Sequence, residues 1–455
     1  MARRPSALLL ASALLLTLLG ALAPAEPVVD GDSCLFLSLP REMAEEGGVR
    51  WLAPTWWPEG RRRPFLEHPP GAFWPAALLA RTGLGPQAAG RLANGLALLG
   101  LLAATALLAR RSGGGSGGAA ALLLLLHLPL WKYLGRAGLE YPFAAWAVLA
   151  LAGLAGPGRA RGPALAFGLA ILTRGVFALA LLPVLLLPGL APPGDRRKGL
   201  RILAGGMLVA AAFDLLHGAA TGRSFWAGYL GQQILPSLDP AATPHPNRGS
   251  TLLYYGGRLL LYGAPWWIPG ALAWARLRDP AARHRVLAPA LAGVLLLFLG
   301  SALARREGSR YLFLAWPLLA WAWAGAWVRL RPAWGRSGPE PVLALAALAL
   351  AVAPRLPAEE PWRSAARELQ AEEAALRGAR ILGRFGPRDD RLRQFLRLHA
   401  APRAFAPRDR PPGPRDLLLL EPGEAPPAAP GRLLALPQER RLWIPGTAPR
   451  KAAGG

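Results

Sequence analysis

The feature that most constrains this chain is the recurrence of long apolar runs. The stretch "PSALLLASALLLTLLGALAP" at residues 5–24 is long enough to cross a bilayer. Further runs follow at about 86–108, 118–134, 141–157, 163–173, 175–190, 202–218, 254–275, 286–303, 311–328 and 340–354. A chain of this kind folds in lipid, where each backbone amide must be satisfied inside its own helix. The pattern predicts an all-α polytopic membrane protein of about 11 transmembrane helices. Residues 5–24 also read as a signal peptide, with small residues near Ala21 to Ala25 as a cleavage site. The many later spans favour an uncleaved first helix.

The formal charge of +25 does not point to nucleic acid. Of the 52 basic residues only Lys132, Lys198 and Lys451 are lysine, and the arginines lie scattered between apolar runs instead of gathered on one tail or face. The single cysteine, Cys34, excludes an intramolecular disulfide and leaves the compartment open. Arginines sort the loops instead. Arg110 and Arg111, Arg159 and Arg161, "DRRKGLR" at 195–201, "RLRDPAARHR" at 276–285 and "RLRPAWGR" at 329–336 mark the cytoplasmic side by the positive-inside rule. Residues 1–355 then form a transmembrane domain whose first extracytoplasmic loop is 25–85. Residues 356–455 form a C-terminal extracytoplasmic piece, either a small α/β module or a Pro/Arg-rich tail. An odd number of spans puts that piece outside.

The first loop carries the most chemistry. Asp30 and Asp32 follow the first span, ahead of Leu35, Leu39 and Met43 at helical spacing, which predicts a short amphipathic helix on the membrane surface, started or kinked by Pro40. Trp51, Trp56, Trp57 and Trp74 suit the headgroup zone. A carboxylate at the mouth of a helical bundle is costly unless it is used, which singles out Asp32. Farther on, "RRRPFLEHPP" at 61–70 packs three arginines, Glu67, His68 and two prolines between apolar segments.

Taken in order, Asp32, Arg41-Glu42-Met43, Trp51 with Pro54, and Glu67 with Pro69 and Pro70 resemble the GT-C glycosyltransferases that use polyprenyl-phosphate sugars, particularly the lipid A aminoarabinose transferases and the protein O-mannosyltransferases. "GRLANGLALL" at 90–99, "RAGLEYPFAAW" at 136–146, "FGLAILTRGVFALALLPVLLL" at 167–187 and "SRYLFLAWP" at 309–317 resemble later stations of that family in the same order, so the likeness covers about residues 1–330. It departs from the family at Ser33, where a second acid is usual, at Glu140 in place of Asp, and at His68 in place of Lys.

The resemblance implies an inverting transfer from an undecaprenyl- or dolichyl-type phosphate sugar to a lipid, glycan or protein acceptor. It implies an active site facing the periplasm of a bacterial inner membrane. Outside the cytoplasm no nucleotide sugar is at hand, so the donor must be carried by lipid. Such a donor needs an apolar groove, cations for its phosphate and a carboxylate near its anomeric carbon. Asp32 and Glu140 are the expected catalytic acids. Arg61, Arg62, Arg63, His68, Arg174 and Arg310 are expected on the donor phosphate, and Arg41, Glu42, Glu67 and Tyr311 on substrate. Some relatives bind a divalent ion, for which Glu67 and His245 are the pair to test. Two other readings remain: transfer to protein serine or threonine, and a non-enzymatic transporter or flippase of lipid-linked sugar, which would show repeated halves that this sequence lacks.

Overall fold

The computed structural model describes residues 31–56, 63–113, 117–134, 138–186, 197–238, 248–276, 283–303, 308–330, 360–371, 376, 379–382, 390–400, 404–406, 416–427, 431–436 and 440–445. Asp30, Arg61, Arg62, His245 and the expected spans 5–24 and 340–354 lie outside them.

Helix α1 (Gly31–Glu46) is followed by a two-stranded ribbon, β1 (Thr55–Trp56) with β2 (Arg63–Pro64), and by the short α2 (Trp74–Arg81). The bundle comprises α3 (Pro86–Arg111), α4 (Gly117–Leu125), α5 (Leu128–Leu134), α6 (Glu140–Ala155), α7 (Arg161–Arg174), α8 (Leu182–Leu186) and α9 (Lys198–Thr221). The short α10 (Phe225–Tyr229) and α11 (Leu235–Leu238) precede α12 (Arg248–Arg276), α13 (Ala288–Leu303) and α14 (Ala315–Leu330). Among the described residues four helical runs are long and apolar enough to cross a membrane: Pro86–Arg111, Arg161–Leu186, Lys198–Thr221 and Arg285–Leu303. The pair α4 and α5, bent by 66°, makes up to a fifth. The protein is an integral membrane protein.

The run Arg161–Leu186 is continuous in length but reverses direction. Helix α7 lies alongside α9 in parallel, with Ala164 against Gly205, Phe167 against Gly206, and Gly168 against Val209. Yet the carbonyl of Leu185 abuts Gly199 at the start of α9. The chain must therefore return between Arg174 and Leu185, and it turns at Gly175, whose φ of +61° suits glycine. The seven residues Gly175–Leu181 form a 3₁₀ leg on the way back. Glycines facing larger side chains let these helices approach closely where lipid supplies no hydrophobic drive.

The two ends of the bundle differ in charge. At one end Arg111 donates to the carbonyl of Ala152 (3.1 Å) and Lys198 donates to the carbonyl of Gly156, satisfying the open C-terminus of α6 with cations. At the opposite end lie Glu140, at the start of α6, and Arg174, at the end of α7.

Helices α15 (Glu360–Ala371) and α16 (Asp390–Ala400) accompany a five-stranded mixed sheet. Its strands are β3 (Arg380–Leu382), β4 (Ala404–Ala406), β5 (Asp416–Leu420), β6 (Gly431–Ala435) and β7 (Arg441–Pro445), in the order β4-β3-β5-β7-β6. Strand β3 is parallel to β4 and β5, and β7 is antiparallel to β5 and β6. Leu417 and Leu419 of β5 face one core and Leu418 and Leu420 the other, so a run of consecutive leucines is buried on both faces.

Helix α1 departs from the expected surface helix. Cys34 and Leu37 join the core of the sheet and its helices with Trp362, Leu369 and Phe395. Leu35, Phe36, Leu39 and Met43 instead pack against Phe65, Phe73, Ala77 and Leu139. Protein covers the helix on both faces, and Pro40 sits inside it instead of starting it.

Candidate active site

Asp32 occupies the first turn of α1, where the helix dipole favours a carboxylate. It pairs with Arg310, presented by the 3₁₀ turn Ser309–Leu312. The pair is accessible, with side chains 55% and 33% exposed. Ser309 anchors the turn through a 2.6 Å hydrogen bond with the hydroxyl of Tyr133. Burial draws the Arg310 guanidinium down, but the neighbouring charges of Asp32, Tyr311 and Glu140 outweigh it and hold the group above its ordinary value.

Behind that pair lies a buried one. Arg174 stands 3.5 Å from Glu140, and the two residues are 3% and 4% exposed. The guanidinium lies over the rings of Phe143 (5.7 Å), Phe177 (5.2 Å) and Tyr311 (5.5 Å), and Tyr311 stacks on Phe177 with ring planes 10° apart. Its Nε has no hydrogen-bond partner among the described residues. A buried guanidinium with an open donor in an aromatic setting is suited to receive an anion. Beside it, the Tyr229 hydroxyl fills the space a side chain at Gly175 would need and accepts from the Val176 amide (3.4 Å). Burial pushes the Tyr229 phenol up to about 12.

A second cationic group lies near the same turn. Arg258 of α12 sits over Tyr254 (5.1 Å) and Tyr262 (5.6 Å) and donates to the Tyr262 hydroxyl (3.1 Å). Lys132 is 5.6 Å from the ring of Tyr133 and 6.0 Å from that of Tyr262. Next to Arg258, an open apolar groove of ≈ 540 Å³ runs between α12 and α13, lined by residues that include Leu259, Leu260, Leu291, Leu295 and Phe298.

The structure thus brings together Asp32, Glu140, Arg174, Arg310 and Tyr311. The other expected site residues have contacts of their own. Arg41 donates to the Leu398 carbonyl (3.1 Å) and pairs with Glu45, while Glu42 pairs with Arg397 (2.8 Å). Both positions on α1 face the C-terminal helix. His68 lies between the rings of Phe36 (5.8 Å) and Phe65 (6.2 Å), Arg63 is exposed on β2, and Glu67 is half-buried in the following turn. Among the described residues no three His, Cys, Asp or Glu side chains gather as metal ligands, and the Glu67–His245 pairing lies partly outside them. Phe143, Phe177, Tyr229 and Arg258 escape sequence reading: a lone aromatic in an apolar span carries no spacing signal, and Arg258 lies outside every segment that resembles the family's motifs.

Comparison of the whole chain with solved structures finds the same architecture end to end in ArnT from Cupriavidus metallidurans. The crystal structure bound to undecaprenyl phosphate superposes with a TM-score of 0.71 at 16% identity, covering 99% of each chain; the apo form gives 0.69 at 16% identity over 96% of this chain and 97% of ArnT. The oligosaccharyltransferase of Archaeoglobus fulgidus, in its apo form, gives 0.52 at 11% identity, covering 89% of this chain and 64% of its own. No family model and no curated protein matches by sequence. The chain therefore shares the fold of ArnT and of this oligosaccharyltransferase.

Proposed function

We propose that the protein is a GT-C glycosyltransferase that moves a sugar from a polyprenyl-phosphate donor to a hydroxyl or phosphate on a lipid or glycan. It works at the outer face of a bacterial inner membrane, with inversion. The observation that carries this reading is the convergence of Asp32, Arg310, Arg174 and Glu140 at the end of the bundle opposite the Arg111 and Lys198 end. The positive-inside rule makes the Arg111 and Lys198 end cytoplasmic and the acid-bearing end external. Residues 356–455 then form an extracytoplasmic α/β module.

The residues divide the work by chemistry. The groove beside Arg258 takes the isoprenoid chain. Arg310 and Arg174 bind the phosphate with charge-assisted hydrogen bonds. Donor phosphate competes with Asp32 for Arg310 and so frees the carboxylate. Asp32 then accepts the proton of the acceptor hydroxyl as its oxygen attacks the anomeric carbon. The bond from that carbon to the phosphate oxygen breaks, and the lipid phosphate leaves with the electron pair, stabilised by the two arginines. Glu140 holds Arg174 in place through their buried ion pair.

The test supplies purified protein with labelled polyprenyl-phosphate sugar and membrane extract. Label recovered covalently on an extracted lipid or glycan supports the reading. Label recovered on serine or threonine of protein favours the O-mannosyltransferase-like alternative, and label that crosses a vesicle membrane still attached to its carrier favours a transporter.

A further inference from the structure

The C-terminal sheet and its helices do not merely hang from the bundle: helix α16 grips the helix that carries Asp32. Arg397 Nη2 donates to Glu42 Oε2 at 2.8 Å and to the Thr55 carbonyl at 3.1 Å, and its side chain is only 10% exposed. Glu42 also accepts from the Thr55 amide (3.2 Å) and the Thr55 hydroxyl, and Arg50 lies 3.6 Å away. One residue along, Arg41 reaches the Leu398 carbonyl of α16. The apolar part of the same contact is Cys34 and Leu37 against Trp362 and Phe395.

These contacts bracket a weak point in α1. Pro40 lies between Asp32 and Glu42, has no amide to donate to the Phe36 carbonyl, and crowds the preceding turn. Ten residues of helix separate the two acids, about 15 Å along the axis. A helix interrupted at Pro40 keeps its N-terminal turn in register only if both halves are held from outside. Cys34 and Leu37 hold the half before the proline, and Arg41 and Glu42 the half after it.

We propose that Arg397 is a positioning residue for the transfer reaction: by binding Glu42 and the Thr55 carbonyl it seats α1 and fixes where Asp32 meets the acceptor. This rests on the assignment of Asp32 as the base. A shift of the carboxylate by about 1 Å costs on the order of a hundredfold in rate without changing how donor is held.

The protein contains its own reporter, because the single thiol of this sequence, Cys34, is buried in this contact. Arg397→Ala, Arg397→Lys, Glu42→Gln and Asp32→Asn are purified in detergent, and each is assayed for kcat, donor KM and the rate of Cys34 labelling by a maleimide. The expected result for Arg397→Ala is a fall in kcat of about 10- to 100-fold at nearly unchanged donor KM, with faster Cys34 labelling and partial recovery of both in Arg397→Lys. Should Arg397→Ala not fold, Glu42→Gln is read in the same way.

Faster labelling with unchanged kcat, while Asp32→Asn is inactive, overturns the positioning role and leaves the base assignment standing. A raised donor KM with Cys34 still protected also overturns it, since Arg397 would then act on substrate directly. Wild-type transfer by Asp32→Asn overturns the base assignment itself.

Discussion

Asp32 and Arg310 are separated by 278 positions in the chain and meet in an ion pair at the accessible edge of the site. Neither residue needs this partner for stability: both retain water, and an exposed pair contributes little. The pair suits exchange, in which a donor phosphate replaces the carboxylate on Arg310. Arg310→Ala is expected to lower kcat/KM for donor by about a hundredfold, the usual size for removal of one donor to a developing anion. Arg310→Lys should recover only part, since an ammonium cannot bind in a bidentate fork. Steady-state transfer kinetics against donor concentration check both.

The Arg174–Glu140 pair behaves differently because it is buried. Glu140→Gln leaves a cation without its counter-charge and should destabilise the protein by about 3–5 kcal/mol. Asp32→Asn, at an exposed position, should be nearly neutral. Melting temperatures of the two variants in the same detergent provide the comparison, and equal melting temperatures would contradict it.

Gly175 turns the chain between α7 and the 3₁₀ leg, with a positive φ and with Tyr229 against its α-carbon. Gly175→Ala should cost about 1–3 kcal/mol from the backbone alone, with steric conflict added. Tyr229→Ala removes both the hydroxyl and the ring carbons that a new β-carbon would meet, so the double variant is expected to be more stable than the sum of the single changes predicts. Thermal unfolding of the three variants measures that coupling.

Tyr229 also sets a pH dependence. Its folded pKa is raised from 10.0 to about 12, chiefly by burial, so folding favours the neutral phenol. That contribution is fully present below pH 10 and is lost as pH rises through about 12. The melting-temperature difference between wild type and Tyr229→Phe should therefore shift in favour of the phenylalanine variant over that window. A constant difference across it would contradict the assignment.

The groove between α12 and α13 gives a separable prediction. Leu291→Trp or Leu295→Trp fills it without touching any charged group of the site. Donor KM should rise with little change in kcat, the signature of binding energy felt equally in ground and transition states. A short-chain donor analogue should be affected less than a long-chain one.

The sequence made some of this visible and hid the rest for physical reasons. Asp32 stands out because a carboxylate beside an apolar run is costly, and Glu140, Arg174 and Arg310 because they fall in segments that resemble the family's motifs. The turn at Thr173–Arg174–Gly175 shows as a break between two short legs, and contacts with α9 show that the chain reverses there. Arg41 and Glu42 share a helix and a motif with Asp32, but helical rotation aims them at α16, a segment more than 350 residues later that no local pattern announces. The aromatic bed of Arg174 is silent in the sequence, since Phe143 and Phe177 look like any apolar residue of a span.

The most direct measurement is sugar transfer from a polyprenyl-phosphate donor by wild type and by folded Asp32→Asn, alongside donor binding to each. The account predicts a loss of about a hundredfold or more in kcat with donor binding retained, as removal of a general base requires. Transfer at the wild-type rate by Asp32→Asn would contradict it and move the chemistry away from the Asp32–Arg310 pair.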